Sequence, residues 1–430
     1  MTERGADLAI VGGGVAALWL AVRAARSNLR VVLITCGQIG AYASTRNQAW
    51  VHSGAFYAAN EAWALAEHCI EGNADLRSLA EDTPGLMGCG PRDGECLVRD
   101  ADHLAEVGPR LRHAGVDYRL GALASPNTSV VFGTVERPYV LRTADSTIDS
   151  SLLLERLAFD AVSAGARVLG SPGQPALERR GEAWSLRQGD VEVVADRVVL
   201  ALGAGLPDYL GTWVPQYSGP VYVPTVTRVV VLSELPLSAP VIPLFDAAPT
   251  VVPVWHQRQW RGATVCVPFD NVPGRRPDRV GFAEAEAIVK LAVEQLPGVG
   301  EYLSRHDDTP VGVYTCEKLI VSGQRDGTEE SRSFRVDQYP DGLYAFYAGK
   351  FTTASVGARA CLRELGVRPK PGKGKSNRVG YSDGKVEMAQ RAAVAPPGFE
   401  LRIVPNGLSL VPASALPASP VRKGEIAHDR

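Results

Sequence analysis

The chain has 430 residues, 45% hydrophobic and 21% charged, an ordinary globular composition with room for two interleaved domains or more. Its formal net charge of −2 offers no global field for nucleic acid or an anionic membrane, and no apolar run reaches the roughly 18 residues of a membrane span. The seven cysteines are scattered with no CxxC pair and no basic signal-peptide n-region opens the chain, so it reads as cytoplasmic, with reduced thiols and neither zinc nor an iron–sulfur cluster.

Leu8 to Val11 is a continuous apolar run and reads as a buried strand. It stops at Gly12-Gly13-Gly14, after which Val15, Leu18, Trp19 and Val22 repeat at helical spacing. Arg30 to Ile34 is a second strand, so the first unit is βαβ with the usual right-handed crossover. Gly12 permits a tight turn, Gly14 lets a pyrophosphate approach bare backbone, and Ala17 in the third small slot lets helix and strand pack closely. The free N–H groups and dipole at the helix N-terminus favour an anion. Gly12, Gly14, Val15 and Ala16 are therefore candidate phosphate-binding positions of a dinucleotide site.

Thr45 to Tyr57 is polar and aromatic with few regular features, and Glu61 to Leu79 is helical by pattern. Pro84 to Arg142 is mixed, with turn signals at Pro84-Gly85 and Ser125-Pro126-Asn127. Ser151 to Ala164 is an amphipathic helix, Ala166 to Leu169 a strand, and Glu178 to Val194 strands joined by turns. Arg197 to Leu202 is a strand ending in the small residues Gly203-Ala204-Gly205. The stretch 216–282 reads as antiparallel sheet, followed by one helix at Ala283 to Leu296. Gly342 to Thr353 is a strand and turn leading into a helix, Ala354 to Leu365. Beyond Gly366, Lys370, Lys373, Lys375 and Arg378 sit among Pro and Gly, and this piece reads as a surface tail or, alternatively, a phosphate-binding one.

NAD and FAD sites share the glycine motif. The strand ending at Gly203 to Gly205 and the turn Gly349-Lys350-Phe351-Thr352-Thr353 add two further small-residue strand ends, which a long extended cofactor needs. The late turn can present backbone N–H groups and a helix N-terminus to a flavin pyrimidine. At this point the chain resembles the D-amino-acid-oxidase superfamily of FAD enzymes, which includes glycine oxidase, sarcosine oxidase, and flavin-linked glycerol-3-phosphate and 2-hydroxyglutarate dehydrogenases. Ile10 to Ala17 carries part of the resemblance. Ser44-Thr45-Arg46-Asn47-Gln48-Ala49-Trp50-Val51-His52-Ser53-Gly54 is similar to the family's S/T-G-R-N-x-G-x-x-H-x-G loop beside the isoalloxazine ring, and Tyr347 to Thr353 to the G-G-K-x-T-T turn of the dehydrogenase branch. Gly165 to Gly211 is similar to the glycine-oxidase branch in length and pattern. The resemblance covers most of residues 6–365.

It implies an α/β fold: an FAD-binding Rossmann-like domain of the glutathione-reductase type with an interleaved antiparallel-sheet α+β substrate domain. Residues 1–80, 145–215 and 335–365 would form the FAD-binding domain, 81–144 and 216–334 the substrate domain, and 366–430 a C-terminal extension or tail. The implied FAD contacts are Gly12, Gly14, Val15, Ala16, Thr35, Cys36, Ser44, Thr45, Arg46, Asn47, Gln48, Ala49, Ala201, Gly203, Gly349, Lys350, Phe351, Thr352 and Thr353.

Two departures from the family pattern stand out. Thr35 replaces the Glu or Asp that usually holds the adenosine ribose, about 20 residues after the glycines. Cys316-Glu317-Lys318 stands near the oxidase branch's L-R-P, so Lys318 is the nearest basic replacement for the substrate-clamping arginine, as a point charge rather than a bidentate fork.

The implied chemistry is hydride transfer from a C–H bond to the flavin, with the protein supplying position and electrostatics. An amine bound neutral needs no strong base, whereas an alcohol does. His52 is the first candidate for a base or substrate contact, against a purely structural histidine; His256 is the second. Lys318, Arg325, Arg332 and Arg335 cluster before the third turn and could bind a carboxylate or phosphate, with Arg332 and Tyr314 as further substrate-binding candidates. Lys350 lies near the flavin or on the surface.

The expected function is an FAD oxidase for the C–N bond of a glycine-like or N-substituted amino acid, with imine hydrolysis, peroxide formation and dioxygen as acceptor. The substrate would be a small molecule with a carboxylate. The alternatives are an FAD dehydrogenase of a 2-hydroxy acid or glycerol 3-phosphate, and a non-catalytic FAD-binding protein. No metal and no nucleic-acid partner are expected, and a homo-oligomer is left open.

Overall fold

A computed structural model describes residues 2–90, 92–121, 125–133, 139–170, 173–215, 222–245, 248–267, 280–306, 309–321, 333–367, 399–404 and 407–412. Its first sheet is centred on the strand Thr2–Val11, which pairs in parallel with Val31–Thr35 on one side and Val191–Leu200 on the other. Parallel neighbours extend it outward, Arg167–Gly170 at one edge and Leu343–Tyr347 toward the other, where Arg335–Tyr339 closes it antiparallel. The hairpin Ala176–Arg180 and Ala183–Gln188 branches from Val191–Leu200.

The apolar run Leu8 to Val11 is fully buried because both faces of this sheet are covered. Leu8 and Ile10 face the helix side, where Val15–Arg26 packs against Ser150–Ser163 and Ala354–Glu364. Ala9 and Val11 face the opposite core, with Trp184, Leu186 and Tyr209.

The second sheet has the order Val311–Val321, Tyr222–Ser233, Gln259–Cys266, Thr250–His256, Val241–Pro243, Gly94–Val98, Tyr139–Thr143, Tyr118–Leu120. All its pairs are antiparallel except Val241–Pro243 with Gly94–Val98. One face packs on the helices Phe282–Gln295 and Pro297–Arg305 through Ile288, Ala292, Leu296 and Val299. The helix read at Ala283 to Leu296 is present as Phe282–Gln295, and a second helix that the sequence reading missed, Pro297–Arg305, follows it directly. Pro297 pushes the residue before it out of the α region, and Leu296 sits at φ −126°, ψ 79°.

Two other local readings change. Ser125-Pro126-Asn127 is a helix start rather than a turn: the Ser125 hydroxyl accepts from Thr128 N–H and Pro126 takes the first position of Pro126–Phe132, where it costs no hydrogen bond. The segment read as irregular at Thr45 to Tyr57 holds the short strand Trp50–Val51 and the helix Ala55–Ala59. Gly54, at φ +92°, makes the corner between them, and a Cβ there would stand 2.8 Å from the Ala66 carbonyl oxygen. Within the expected tail, Phe399–Val404 and Gly407–Pro412 pair as an antiparallel two-stranded sheet. Alternation of Phe399, Leu401 and Ile403 with Glu400 and Arg402 is the strand signal that the surrounding Pro and Lys obscure. Lys370, Lys373, Lys375 and Arg378 lie outside the described residues.

Candidate active site

A continuous cavity of about 850 Å³ runs from the C-terminal ends of the first sheet's strands to the inner face of the second. That is ample for a cofactor and a small substrate. Its floor begins at the glycine run. Gly12 N–H donates to the Ile34 carbonyl at 2.9 Å, and at φ +144° a Cβ on Gly12 would come within 2.3 Å of the Ala201 carbonyl oxygen. No other residue fits there. Gly14 caps the helix Val15–Arg26, which has no side-chain cap and no acidic residue in its first turn. Val15 N–H reaches the Ser44 hydroxyl at 3.0 Å. A helix N-terminus with a glycine cap and bare backbone, opening on a large cavity, fits a pyrophosphate.

The adenosine end departs from expectation. Thr35 is 1% exposed and absent from the cavity wall; its hydroxyl donates to the Gly37 carbonyl at 2.8 Å, and its own carbonyl accepts from Gln188. The expected ribose contact by the Thr35 side chain is therefore corrected: the hydroxyl is turned away and already bonded. Cys36 does line the cavity, and burial pushes its thiol up to about 11. Ala201, Gly203 and Gly205 line the same end, together with Gly173, Gln174 and Asp208.

The loop from Ser44 divides its labour. Ser44, Asn47 and Gln48 line the cavity, whereas Thr45, Arg46 and Ala49 do not. Asn47 clasps its own loop, donating to the Ala43 and Ser44 carbonyls at 2.9 Å and accepting from Ala49 N–H at 2.6 Å. Thr45 bonds the Gly40 carbonyl. Gln48 ties the loop to the second sheet, donating to the Thr250 carbonyl and accepting from the Thr250 hydroxyl, both at 3.2 Å. Tyr314 lies behind this loop, not on the cavity wall. Its hydroxyl donates to the Asn47 carbonyl at 3.0 Å, so its expected substrate contact becomes a loop support.

His52 is on the wall and 7% exposed. Its ring lies 3.7 Å from the Trp50 ring and 5.2 Å from that of Tyr57, and its Nδ1 is buried without a hydrogen-bond partner among the described residues. Burial, then the charges of Lys350 and Lys318, hold the imidazole well below its usual pKa of 6.5. It is neutral at physiological pH.

The turn after Leu343–Tyr347 places Gly349, Lys350 and Phe351 on the wall. Gly349 has φ +68°. Thr352 and Thr353 are fully buried beneath it and hold the turn rather than lining it. Thr353 donates to the Ala348 carbonyl at 2.7 Å and accepts from Lys350 N–H, while Thr352 receives the His52 N–H. The Lys350 ammonium sits 5.7 Å over the Tyr57 ring.

Lys318 reaches the same cavity from Val311–Val321, where it pairs opposite Thr225 and shares a sheet face with Cys316 and Tyr314. Cys316, Thr227, Val229, Thr250 and Cys266 form a small-residue ceiling around it. Sequence reading missed this ceiling, Trp50 and Tyr57, because period-2 alternation in a Val-rich strand looks the same whether a face meets a cavity or a core.

Two candidates fall elsewhere. His256 is off the cavity: its Nδ1 is 3.2 Å from the Asp149 carboxylate, which also accepts from Gln257, Ser151 and Leu152 N–H groups. The expected substrate role is corrected to a tether between the Thr250–Cys266 hairpin and the start of the Ser150–Ser163 helix. Arg335 bonds Asp337 at 2.8 Å, away from the cavity. Arg332 and Arg325 lie outside the described residues.

No helix among the described residues is long and apolar enough to cross a membrane. Among solved structures, glycine oxidase from Geobacillus kaustophilus superposes with a TM-score of 0.64 at 16% identity, over 84% of this chain and 94% of that one. L-alpha-glycerophosphate oxidase from Mycoplasma pneumoniae with FAD bound gives 0.64 at 14%, over 86% and 97%. At such identities the likeness is one of fold. "Probable FAD-dependent oxidoreductase PA4991" of Pseudomonas aeruginosa is 30% identical over 46% of this chain, and one component of the anaerobic glycerol-3-phosphate dehydrogenase of Escherichia coli K12 is 29% identical over 42%. The matches span only 51% and 32% of those relatives' own lengths. Residues 7–361, from the first strand through most of the last Rossmann helix, match the DAO family, FAD dependent oxidoreductase. With a helix N-terminus that fits a pyrophosphate, a cavity of about 850 Å³ and that match over most of its length, the chain belongs to the DAO family of FAD-dependent oxidoreductases, and FAD is its cofactor.

Proposed function

We propose that this enzyme is an oxidase for the C–N bond of a glycine-like or N-substituted amino acid, with dioxygen as electron acceptor. The observation that carries this reading is the meeting of a buried, neutral His52 with Lys318 and Lys350 in one cavity. Bound FAD would take the hydride from the substrate carbon and hand the electron pair on to dioxygen, giving peroxide. Lys318 would hold the substrate carboxylate as a point charge. Two ammonium groups in the same cavity disfavour a substrate ammonium, so an amine binds neutral, the form that releases a hydride without a base. The same surroundings leave His52 a weak base, poorly matched to taking an alcohol proton near pH 7. Hydrolysis of the imine follows in water.

Gly12, Gly14, Val15, Ala16 and Ser44 would cradle the pyrophosphate; Gln48, His52, Gly349, Lys350 and Phe351 would border the isoalloxazine ring. On this reading 1–80, 145–215 and 335–365 form the cofactor unit and 81–144 with 216–334 the substrate unit.

A dehydrogenase of glycerol 3-phosphate or a 2-hydroxy acid is the second reading. The match to the anaerobic glycerol-3-phosphate dehydrogenase and the Gly349 to Thr353 turn favour it. Anaerobic mixing with glycine, N-methylglycine, iminodiacetate, glycerol 3-phosphate and 2-hydroxyglutarate separates the two. Bleaching of the flavin by an amine, followed by peroxide on aeration, supports the oxidase. Bleaching by glycerol 3-phosphate alone, with electrons passed only to an artificial acceptor, replaces it with the dehydrogenase.

A further inference from the structure

We propose that Asp208 holds the adenosine ribose of FAD, taking over the task that the last residue of the second strand normally performs. This rests on FAD binding and is independent of the substrate assignment. Thr35 occupies the usual acid position, yet its hydroxyl is bonded to the Gly37 carbonyl. It points along the sheet: a Cβ added at Gly170, its partner on the neighbouring strand, would stand 2.9 Å from that oxygen. Thr35 is also buried and off the cavity wall, so the ribose of a cofactor lying on the glycine turn needs another acceptor.

Among the described residues, two carboxylates line the cavity, Glu317 and Asp208. Glu317 is on the second sheet beside Lys318, at the substrate end. Asp208 lies in the first turn of the helix Leu206–Trp213, directly after Gly203-Ala204-Gly205. Its neighbour Tyr209 donates to the Pro175 carbonyl at 2.8 Å, which docks this helix on the Gly173-Gln174 segment. A Cβ on Gly205 would come within 4.0 Å of the Gln174 amide nitrogen. Asp208 thus lines the same cavity as Cys36, the residue directly after Thr35, and Gln174, beside which its helix docks. A carboxylate has two oxygens with which to accept from the two ribose hydroxyls. The ribose acid has moved from the second strand to the helix Leu206–Trp213.

The test uses flavin-free protein and displacement of fluorescent-quenched FAD. Wild type should bind ADP about 10- to 100-fold more tightly than 2′,3′-dideoxy-ADP, the range for hydrogen bonds to a charged group. Asp208→Ala should weaken FAD and ADP by about that factor and erase the preference for the ribose hydroxyls, leaving dideoxy-ADP affinity unchanged. Asp208→Asn should fall between. Unchanged circular dichroism shows that the variants fold, and the ratio of the two nucleotides is insensitive to a general loss of competent protein. A preference for ADP over the dideoxy nucleotide that survives in Asp208→Ala, or its absence from wild type, overturns the proposal.

Discussion

The backbone N–H of His52 donates to the hydroxyl of Thr352 at 3.1 Å, across 300 residues of sequence. That bond joins the two loops that would border the isoalloxazine ring. Asn73 adds a second tie by donating to the His52 carbonyl at 3.0 Å, from the same Trp63–Glu81 helix in which a Cβ on Gly72 would stand 2.0 Å from the Thr352 carbonyl oxygen. The two loops and the helix are therefore locked at backbone distance.

Thr352→Val keeps the shape of this junction and removes the hydroxyl that accepts the bond. It strands the buried His52 N–H, at a cost of about 1–3 kcal/mol. The midpoint of urea unfolding should fall accordingly, with unchanged slope. A variant that unfolds with wild type would show that the bond between the loops contributes nothing.

The sequence revealed the ends of this arrangement better than its middle. Leu8 to Val11, Gly12 to Gly14 and the helix after them are local signals, since continuous apolar burial, a forced positive φ and 3.6-residue spacing are all written within a few residues of one another. Residues 347–353 are legible for the same reason. What escaped depends on long-range pairing. That Thr227 and Cys316 share the cavity's ceiling follows from their pairing across two strands, and that Tyr314 supports a loop follows from the loop's path beneath it. Thr35 shows the limit most clearly. Its place at the end of the second strand was readable, but the direction of its hydroxyl depends on Gly37 and on the absence of a side chain at Gly170.

His256 tests the same limit from the other side. Its residue type made it the second candidate for a base or substrate contact, while its partner is Asp149, the cap of a helix. His256→Ala should leave kcat/KM within about threefold of wild type, because no atom of it reaches the cavity, and should cost about 1–2 kcal/mol of stability through the lost bond to Asp149. Steady-state kinetics beside a thermal melt decide it; a large fall in kcat/KM with an unchanged melt would return His256 to the active site.

His52 gives the protein a pH signature. Its folded pKa lies well below 6.5, chiefly from burial and secondarily from Lys350 and Lys318. Between the folded value and 6.5 the unfolded chain holds a proton there that the folded chain does not, so stability rises with pH through this window. The contribution is complete above 6.5 and is lost as pH falls toward the folded pKa. In urea melts at pH 7.5, 6.5 and 5.5, wild type should therefore lose more stability on acidification than His52→Gln. The comparison cancels other titrating groups, and equal losses in the two proteins would mean that His52 is not buried neutral.

Lys318 carries the most direct functional prediction. It stands on the second sheet, opposite Thr225, and enters the cavity among small residues without a second cation from its own strand in the described part of the ceiling. Lys318→Met preserves the length and apolar stem and removes the charge. If the ammonium binds the substrate carboxylate, KM should rise about 10- to 100-fold, the value of a charge-assisted hydrogen bond. Flavin content and the rate of reduction at saturating amine should change much less, because the hydride step itself is driven from the cofactor. Lys350→Met should behave differently. That ammonium lies over Tyr57 beside the ring turn, so its loss should slow the reaction with dioxygen more than it raises KM. Stopped-flow reduction and reoxidation of both variants separate the two roles. An unchanged KM in Lys318→Met would leave the substrate anion to another group, and equal effects of the two substitutions on both half-reactions would mean that the cavity responds to total positive charge rather than to its placement.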